Sequence, residues 1–316
     1  MTYQNILPLA LVMILFACDE DKPTLSDWRE TTISAAELTD IAFLNANIGL
    51  VSGTTGTLLL TEDGGQSWAP LEVGTTESLV AVYALDPETF YTARNGLYTS
   101  ADAGRTFHQL GASSLPESTI FDIHFFSKEE GVVVSAGTVY ATGNGGDSWV
   151  KTCPSGSTGK LLEVADNQTL YLAGGFTSDM AQNGSIQKSS DRGESWQLLP
   201  LPAGLTESEV TAIDFLSDRV GFAATFAHQL FGTTDGGLTW TELGSVGNAP
   251  VSDIEFESPT DGFLLSGTKI YTTRDGGNRW SVSYTASEEL FRLDRTGDGT
   301  YAAIGRNGLL LKNSPN

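Results

Sequence analysis

Carboxylates dominate the side chains that could do chemistry: 39 Asp and Glu stand against 17 Lys and Arg, 3 His and 2 Cys in 316 residues. Two carboxylates at a suitable separation are enough for glycoside hydrolysis, one as the acid and one as base or nucleophile. With so many acids, spacing along the chain singles out no such pair. The other candidates are sparser. His108, His124 and His228 show no metal-ligand spacing, His108 following a repeated aromatic and His124 sitting in a strand-like run. Cys153 has no His near it in sequence and reads as a tolerated, partly buried thiol rather than a nucleophile. Asp294-Arg-Thr-Gly-Asp298-Gly has the opening of a calcium loop but lacks the later ligands. It occupies the place where other repeats carry Asp86-Pro-Glu, Asp166-Asn-Gln or Ser258-Pro-Thr-Asp261-Gly, so a turn between strands is expected there. No catalytic residue, metal site or cofactor is assigned.

The elements that must position any site announce themselves through a repeat. Ser/Thr-x-Asp/Asn-x-Gly-x-x-aromatic occurs six times, with its acid or amide and aromatic at Asp63 and Trp68, Asp102 and Phe107, Asn144 and Trp149, Asp191 and Trp196, Asp235 and Trp240, and Asp275 and Trp280. Successive aromatics are 39, 42, 47, 44 and 40 residues apart, long enough for one four-stranded antiparallel unit per repeat. Asp and Asn fold onto backbone amides in tight turns, Gly supplies a positive φ, and the aromatic opens the next strand and packs inward. Each copy is therefore expected to clasp the third strand of a blade to the fourth, and the fold class is all-β, a β-propeller with little helix.

Six clasps leave the ring open. After Trp280 come three strand-like runs, Leu290–Leu293, Tyr301–Ile304 and Gly308–Leu311, with no clasp behind them. Trp28 stands 40 residues before Trp68, one period upstream, and supplies the missing aromatic. The expectation is seven four-stranded blades in one domain, residues 26–316, with the last blade closed by the N-terminal strand. Six blades with a loose tail is the alternative. Closure of this kind pairs free sheet edges and couples the termini to global stability.

Residues 1–17 form a different unit. The apolar run Ile6–Ala17 is too short to span a bilayer as a helix, which takes about 20 residues, and reads as a signal peptide. Its end, Leu15-Phe16-Ala17-Cys18, resembles the lipobox of bacterial lipoproteins, and that resemblance implies lipidation of Cys18. Residues 18–25 then make a charged tether. An acidic run there resembles a surface-export signal in one bacterial lineage and an inner-membrane retention signal in another, or is a linker alone. The protein is thus expected to be exported and lipid-anchored, meeting the membrane through the anchor only. Its formal charge of −22 excludes a basic nucleic-acid footprint and favours solubility on a β-rich surface, with attraction to a basic partner as the alternative.

Two stretches, Val51-Ser-Gly-Thr-Thr-Gly56-Thr-Leu-Leu-Leu-Thr61-Glu-Asp63-Gly-Gly65-Gln-Ser-Trp68 and Ala303-Ile-Gly-Arg-Asn-Gly308-Leu-Leu-Leu, resemble the repeat of the photosystem II assembly and stability factor family of seven-bladed propellers. The resemblance runs over essentially all of the chain after the tether. It implies a non-enzymatic scaffold or assembly role outside the cytoplasm, binding an envelope protein or complex as a monomer. Photosynthetic members present an Arg-rich face to their client, whereas the ten Arg here are scattered. The clasp also occurs in sialidases and xyloglucan-degrading glycosidases, so a glycan ligand or glycoside hydrolysis is the alternative. A sialidase needs three converging Arg and an Arg-Ile-Pro signature that this chain lacks; xyloglucanases of this type use two propellers, and one fits here.

If there is a binding face, the loops between second and third strands and those crossing between blades should form it, because they converge around the axis at one end. Candidates there are Arg94, Phe226, His228, Lys269 and Arg306, together with Phe176, Asp179 and Met180 in a blade-four insertion.

Overall fold

A computed structural model describes residues 27–111, 114–116, 118–153, 159–175 and 184–313. It contains seven four-stranded antiparallel sheets arranged as a β-propeller. Blade 1 runs from its innermost strand Leu38–Phe43 through Gly49–Gly53 and Leu58–Thr61 to the short outer strand Ala69–Pro70. The innermost strands of blades 2 to 7 are Ala81–Ala84, Ile120–Phe125, Gly159–Val164, Val210–Phe215, Val251–Phe256 and Leu290–Arg295. One four-residue helical turn, Ala203–Thr206, precedes blade 5.

Blade 7 is completed by Trp28–Thr32, which pairs antiparallel with Leu309–Asn313 in the register Trp28↔Asn313 to Thr32↔Leu309. The seventh blade and its closure by the N-terminal strand therefore stand as expected, and the six-blade alternative falls. Trp28 sinks between blades 6 and 7, with its ring edge-on to Phe263 at 5.8 Å. Glu30 fastens the strand from outside, accepting bonds from the Ser287 amide at 2.9 Å and its hydroxyl at 2.6 Å.

Apolar packing lies between blades, with a buried cluster at each junction, blades 7 and 1 included. Second strands such as Gly131–Ser135 and Gly221–Thr225 are buried along their whole length, which explains their unbroken apolar sequences. A recurring Phe ends the inner strand. Phe125, Phe215 and Phe256 each stack face to face on an aromatic of the preceding blade, Tyr91 at 3.9 Å, Tyr171 at 3.5 Å and Phe222 at 3.4 Å. The clasp Trp of the same blade meets the ring edge-on near 6 Å, as in Phe215–Trp240 at 6.0 Å.

The clasps close as their residue types dictate. Thr61 Oγ1 donates to Asp63 at 2.9 Å and accepts the Gly65 amide at 2.7 Å, while Asp63 takes the Ser67 amide at 2.9 Å and its hydroxyl at 2.6 Å. Gly65, at φ +87°, makes the turn possible. Trp149, Trp196, Trp240 and Trp280 donate their indole N–H to the carbonyl three residues back at 3.0 to 3.1 Å. Their burial is uneven: Trp149 is 6 % exposed, whereas Trp68, Phe107, Trp196, Trp240 and Trp280 are only half-buried. Inward packing of the clasp aromatic is thus partial in five of the six copies, and Trp149 is the exception because Gly111 and its neighbours Leu110 and Leu115, between blades 2 and 3, pack around it.

Candidate functional site

Inner strands surround the axis, and their third and fifth residues face the channel. In every blade except the second, the inner strand bulges after its first residue, as between Leu38 and Asp40 or Leu290 and Arg292. Such a bulge re-aims the side chains that follow. The third positions then hold Asp40, Asp122, Asp253 and Arg292, and the fifth positions Glu163, Asp214, Glu255 and Asp294.

Most of these carboxylates cross a blade junction to accept a backbone N–H. Asp40 takes Val82 at 2.8 Å, Asp122 takes Leu162 at 3.0 Å and Asp253 takes Leu293 at 2.8 Å. One tier below, Glu163 takes Phe215 at 3.3 Å, Asp214 takes Phe256 at 2.9 Å and Asp294 takes Phe43 at 2.5 Å. Asp294 consequently belongs to the inner strand and seals the ring, while the expected turn is confined to Thr296–Thr300 and is capped by Asp298. Between blades 2 and 3 the bridge is Tyr83, whose hydroxyl donates to the Phe125 carbonyl at 2.9 Å. His124 packs on Tyr83 and Phe126 with ring separations of 5.0 and 4.7 Å, and burial pushes it down to about 4, so it stays neutral.

The two tiers differ in charge. Burial raises Asp40 to about 7 and Asp122 to about 6, partly offset by the Arg292 guanidinium. Burial alone would lower Arg292, but Asp253, Asp40 and Asp122 around it hold its charge firmly. The lower tier has no cation: burial raises Asp214 and Asp294 to about 7, and Glu163 and Glu255 lie well above the usual range with neighbouring carboxylates adding to the effect.

Above the tiers the channel widens into a mouth of about 410 Å³, whose walls include Phe121, Phe291, Val80 and Leu161, with Lys160, Arg292, Glu37 and Glu209 among them. Lys160 pairs with Glu209 at 3.5 Å and lies over the Phe121 ring at 5.9 Å. Arg292 reaches Asp40 at 3.9 Å and donates to the Ser252 carbonyl at 3.4 Å. A smaller cavity of about 110 Å³ below is lined by Asp40, Asp122, Asp253, Arg292 and Glu163 with apolar neighbours.

The binding-face residues foreseen in the loops surround this mouth rather than form it. Arg94, Phe226, His228, Lys269 and Arg306 sit on second-to-third-strand connections, Lys269 opening the third strand of blade 6, and none of them lines the cavity. Phe226 is 46 % exposed, and His228 takes a positive φ in its hairpin. Arg306 flanks the mouth through Glu289 at 2.9 Å, Glu37 at 3.7 Å and the Phe291 ring at 6.0 Å. Phe176, Asp179, Met180 and Cys18 lie outside the described residues. Cys153 is buried, its thiol donating to Gln187 at 3.2 Å. Sequence reading missed the axial residues, although a charged residue two places into otherwise apolar strands, as in Leu38-Thr-Asp40-Ile and Val251-Ser-Asp253-Ile, was a visible signal.

Comparison with known proteins follows the fold. Residues 21–173 match the model of a family described as photosynthesis system II assembly factor YCF48. The chain is 24 % identical over 322 residues to the chloroplastic photosystem II stability/assembly factor HCF136 of Arabidopsis thaliana, covering 91 % of this chain and 79 % of that protein. It is 23 % identical over 323 residues to the photosystem II assembly protein Ycf48 of a Synechococcus strain, covering 83 % and 93 %. A 94-residue stretch is 34 % identical to xyloglucanase Xgh74A of Acetivibrio thermocellus, 27 % of this chain and 11 % of the enzyme. A solved structure of YCF48 bound to D1 peptide superposes with a TM-score of 0.76 at 16 % identity, over 94 % of this chain and all of that one. A WD40 propeller domain of Doa1 reaches 0.70 at 10 % identity, over 93 % and 97 %, so superposition speaks to the fold alone. By fold, and by sequence along most of its length, the chain is a seven-bladed β-propeller similar to photosystem II assembly factors.

Proposed function

We propose that the chain is a non-enzymatic, protein-binding propeller of the assembly-factor kind, exported, anchored to a bacterial membrane through lipidated Cys18, and docking an envelope protein or complex over the axial mouth. The supporting observation is the bonding of the axial carboxylates. A cluster of carboxylates with an Arg at the axis is also what a hydrolase would place there, but here six of the seven carboxylates spend an oxygen on an N–H of the next blade. They act as struts, and the mouth above them is a concave, half-apolar surface suited to a polypeptide. Similarity to proteins named as assembly factors points the same way.

Cross-linked capture from native membranes tests this reading, comparing the wild type with Phe121→Ser/Phe291→Ser and with Cys18→Ala. One stoichiometric envelope partner is expected, lost in the first variant, and membrane association is expected to be lost in the second. Recovery of nothing above background would sink the protein-binding reading. The glycan alternative draws on the xyloglucanase-like stretch and would show as sugar release from xyloglucan that Asp122→Asn abolishes.

A further inference from the structure

Opposite charges at the mouth are already matched, whereas those below it are not. Lys160 has Glu209, and Arg306 has Glu289 and Glu37. Beneath them a single guanidinium, Arg292, is shared by Asp40, Asp122 and Asp253. Further down, the carboxylates of Asp214, Asp294 and Glu163 are the foremost electrostatic neighbours of Glu255. The channel thus gathers carboxyl groups that burial holds toward their protonated form, with the Arg292 guanidinium among them, under a rim that is close to neutral, and a cation entering beside them would favour their ionised form. An anionic ligand would oppose that ionisation, and a neutral one would leave the carboxyl groups protonated, whereas a cation is stabilised by their charged form.

We propose that the mouth receives a Lys or Arg side chain presented by an exposed segment of a protein partner, its aliphatic stem against Phe121 and Phe291 and its charge beside Asp40, Asp122 and Asp253. This deepens the protein-binding reading and rests on it. The dimensions suit the occupant: the mouth of about 410 Å³ admits a side chain with flanking backbone, and the cavity of about 110 Å³ beneath has room for the cationic head. Long basic side chains are amphipathic and bury their stems along apolar walls while the head seeks carboxylate. Aromatic walls add attraction for the cation, as Lys160 over Phe121 already shows. Arg292 reaches into the same carboxylates from the wall of the mouth, so the chain's own guanidinium displays the recognition the partner would extend.

The test is a titration of the full chain, labelled with ¹³C-Phe, with capped nonapeptides of Gly and Ser that carry a central Lys, Arg, norleucine or Glu. Lys and Arg peptides should shift the Phe121 and Phe291 resonances and bind at least tenfold more tightly than norleucine, with no binding of Glu. The double variant Asp122→Asn/Asp253→Asn keeps the oxygens that accept the Leu162 and Leu293 amides and should lose most of that preference. Equal binding of Lys and norleucine by the wild type overturns the inference without reference to any variant, as does a Lys preference that survives in a folded double-Asn protein. If the Lys preference is absent while Phe121→Ser/Phe291→Ser still loses its membrane partner, this inference fails and the protein-binding reading stands; if no partner is captured either, both fail.

Discussion

Five of the six clasps place a Ser or Thr four residues after the Asp or Asn, and the hydroxyls of Ser67, Thr106, Ser148, Ser195 and Thr239 bond to that side chain. In blade 6 the position is Arg279, which supplies its amide to Asp275 at 2.8 Å but no hydroxyl. Arg279→Thr should therefore stabilise the protein by about 1 kcal/mol, the typical net worth of an added hydrogen bond, seen as a higher urea midpoint at unchanged slope. Trp149, 6 % exposed, is the clasp aromatic whose removal hurts most: Trp149→Ala should cost about 3–5 kcal/mol by the same measurement. Trp240 is half-buried and should cost clearly less, so a larger loss at Trp240 than at Trp149 would contradict the packing described. These residues were legible in the sequence because each clasp is complete within eight consecutive positions. Burial was not legible, since it depends on which neighbouring segment covers the ring, as the residues around Gly111 cover Trp149.

In blades 1, 3, 5 and 6 the Phe that ends the inner strand lies across the first residue of the second strand, and that residue is Gly at 49, 131, 221 and 262. A Cβ at Gly221 would stand 2.4 Å from the Phe215 ring, which is itself stacked on Tyr171 of the preceding blade at 3.5 Å. Gly221→Ala should therefore push the ring off its stack and cost about 1–3 kcal/mol, with loss of near-ultraviolet dichroism; wild-type stability would mean that the ring has room to move. The closure strand makes a parallel case at the edge of the sheet. Deleting residues 27–33 should expose the Leu309–Asn313 edge and lower the unfolding temperature of the whole ring, because Trp28 fills the junction of blades 6 and 7. Strand count and closure followed from the repeat period and from Trp28, both of which are one-dimensional signals. The site did not, because Asp40, Asp122, Asp253 and Arg292 become neighbours only when strands far apart in the chain are bent around one axis. The loop residues chosen instead, Arg94 to Arg306, lie on second-to-third-strand connections and do not line the mouth.

Taken as a whole, the molecule carries two populations of carboxylates that respond to pH in opposite senses. In the clasps, hydrogen bonds from hydroxyls and amides hold Asp63, Asp102 and Asp235 down to about 2. Folding favours their charged form, so their contribution is present above the unfolded value near 3.8 and is lost as pH falls toward 2. Around the axis, burial holds Asp40, Asp214 and Asp294 up to about 7 and Asp122 to about 6. There the native state binds more protons than the unfolded chain between roughly pH 4 and pH 7, so their contribution is complete at the acid end of that window and is lost as pH rises through it. The net charge of −22 adds general repulsion in the same direction. The melting temperature should therefore peak between about pH 4 and pH 6, falling on the acid side as the clasps protonate and on the alkaline side as the axis ionises. Asp214→Asn/Asp294→Asn keeps the acceptors for Phe256 and Phe43 while removing two of the charges, and should flatten the alkaline limb without moving the acid one. A melting temperature that climbs steadily from pH 5 to pH 8 would show that the axial carboxylates are ionised and solvated in the native ring, and their role as neutral struts between blades would have to be abandoned.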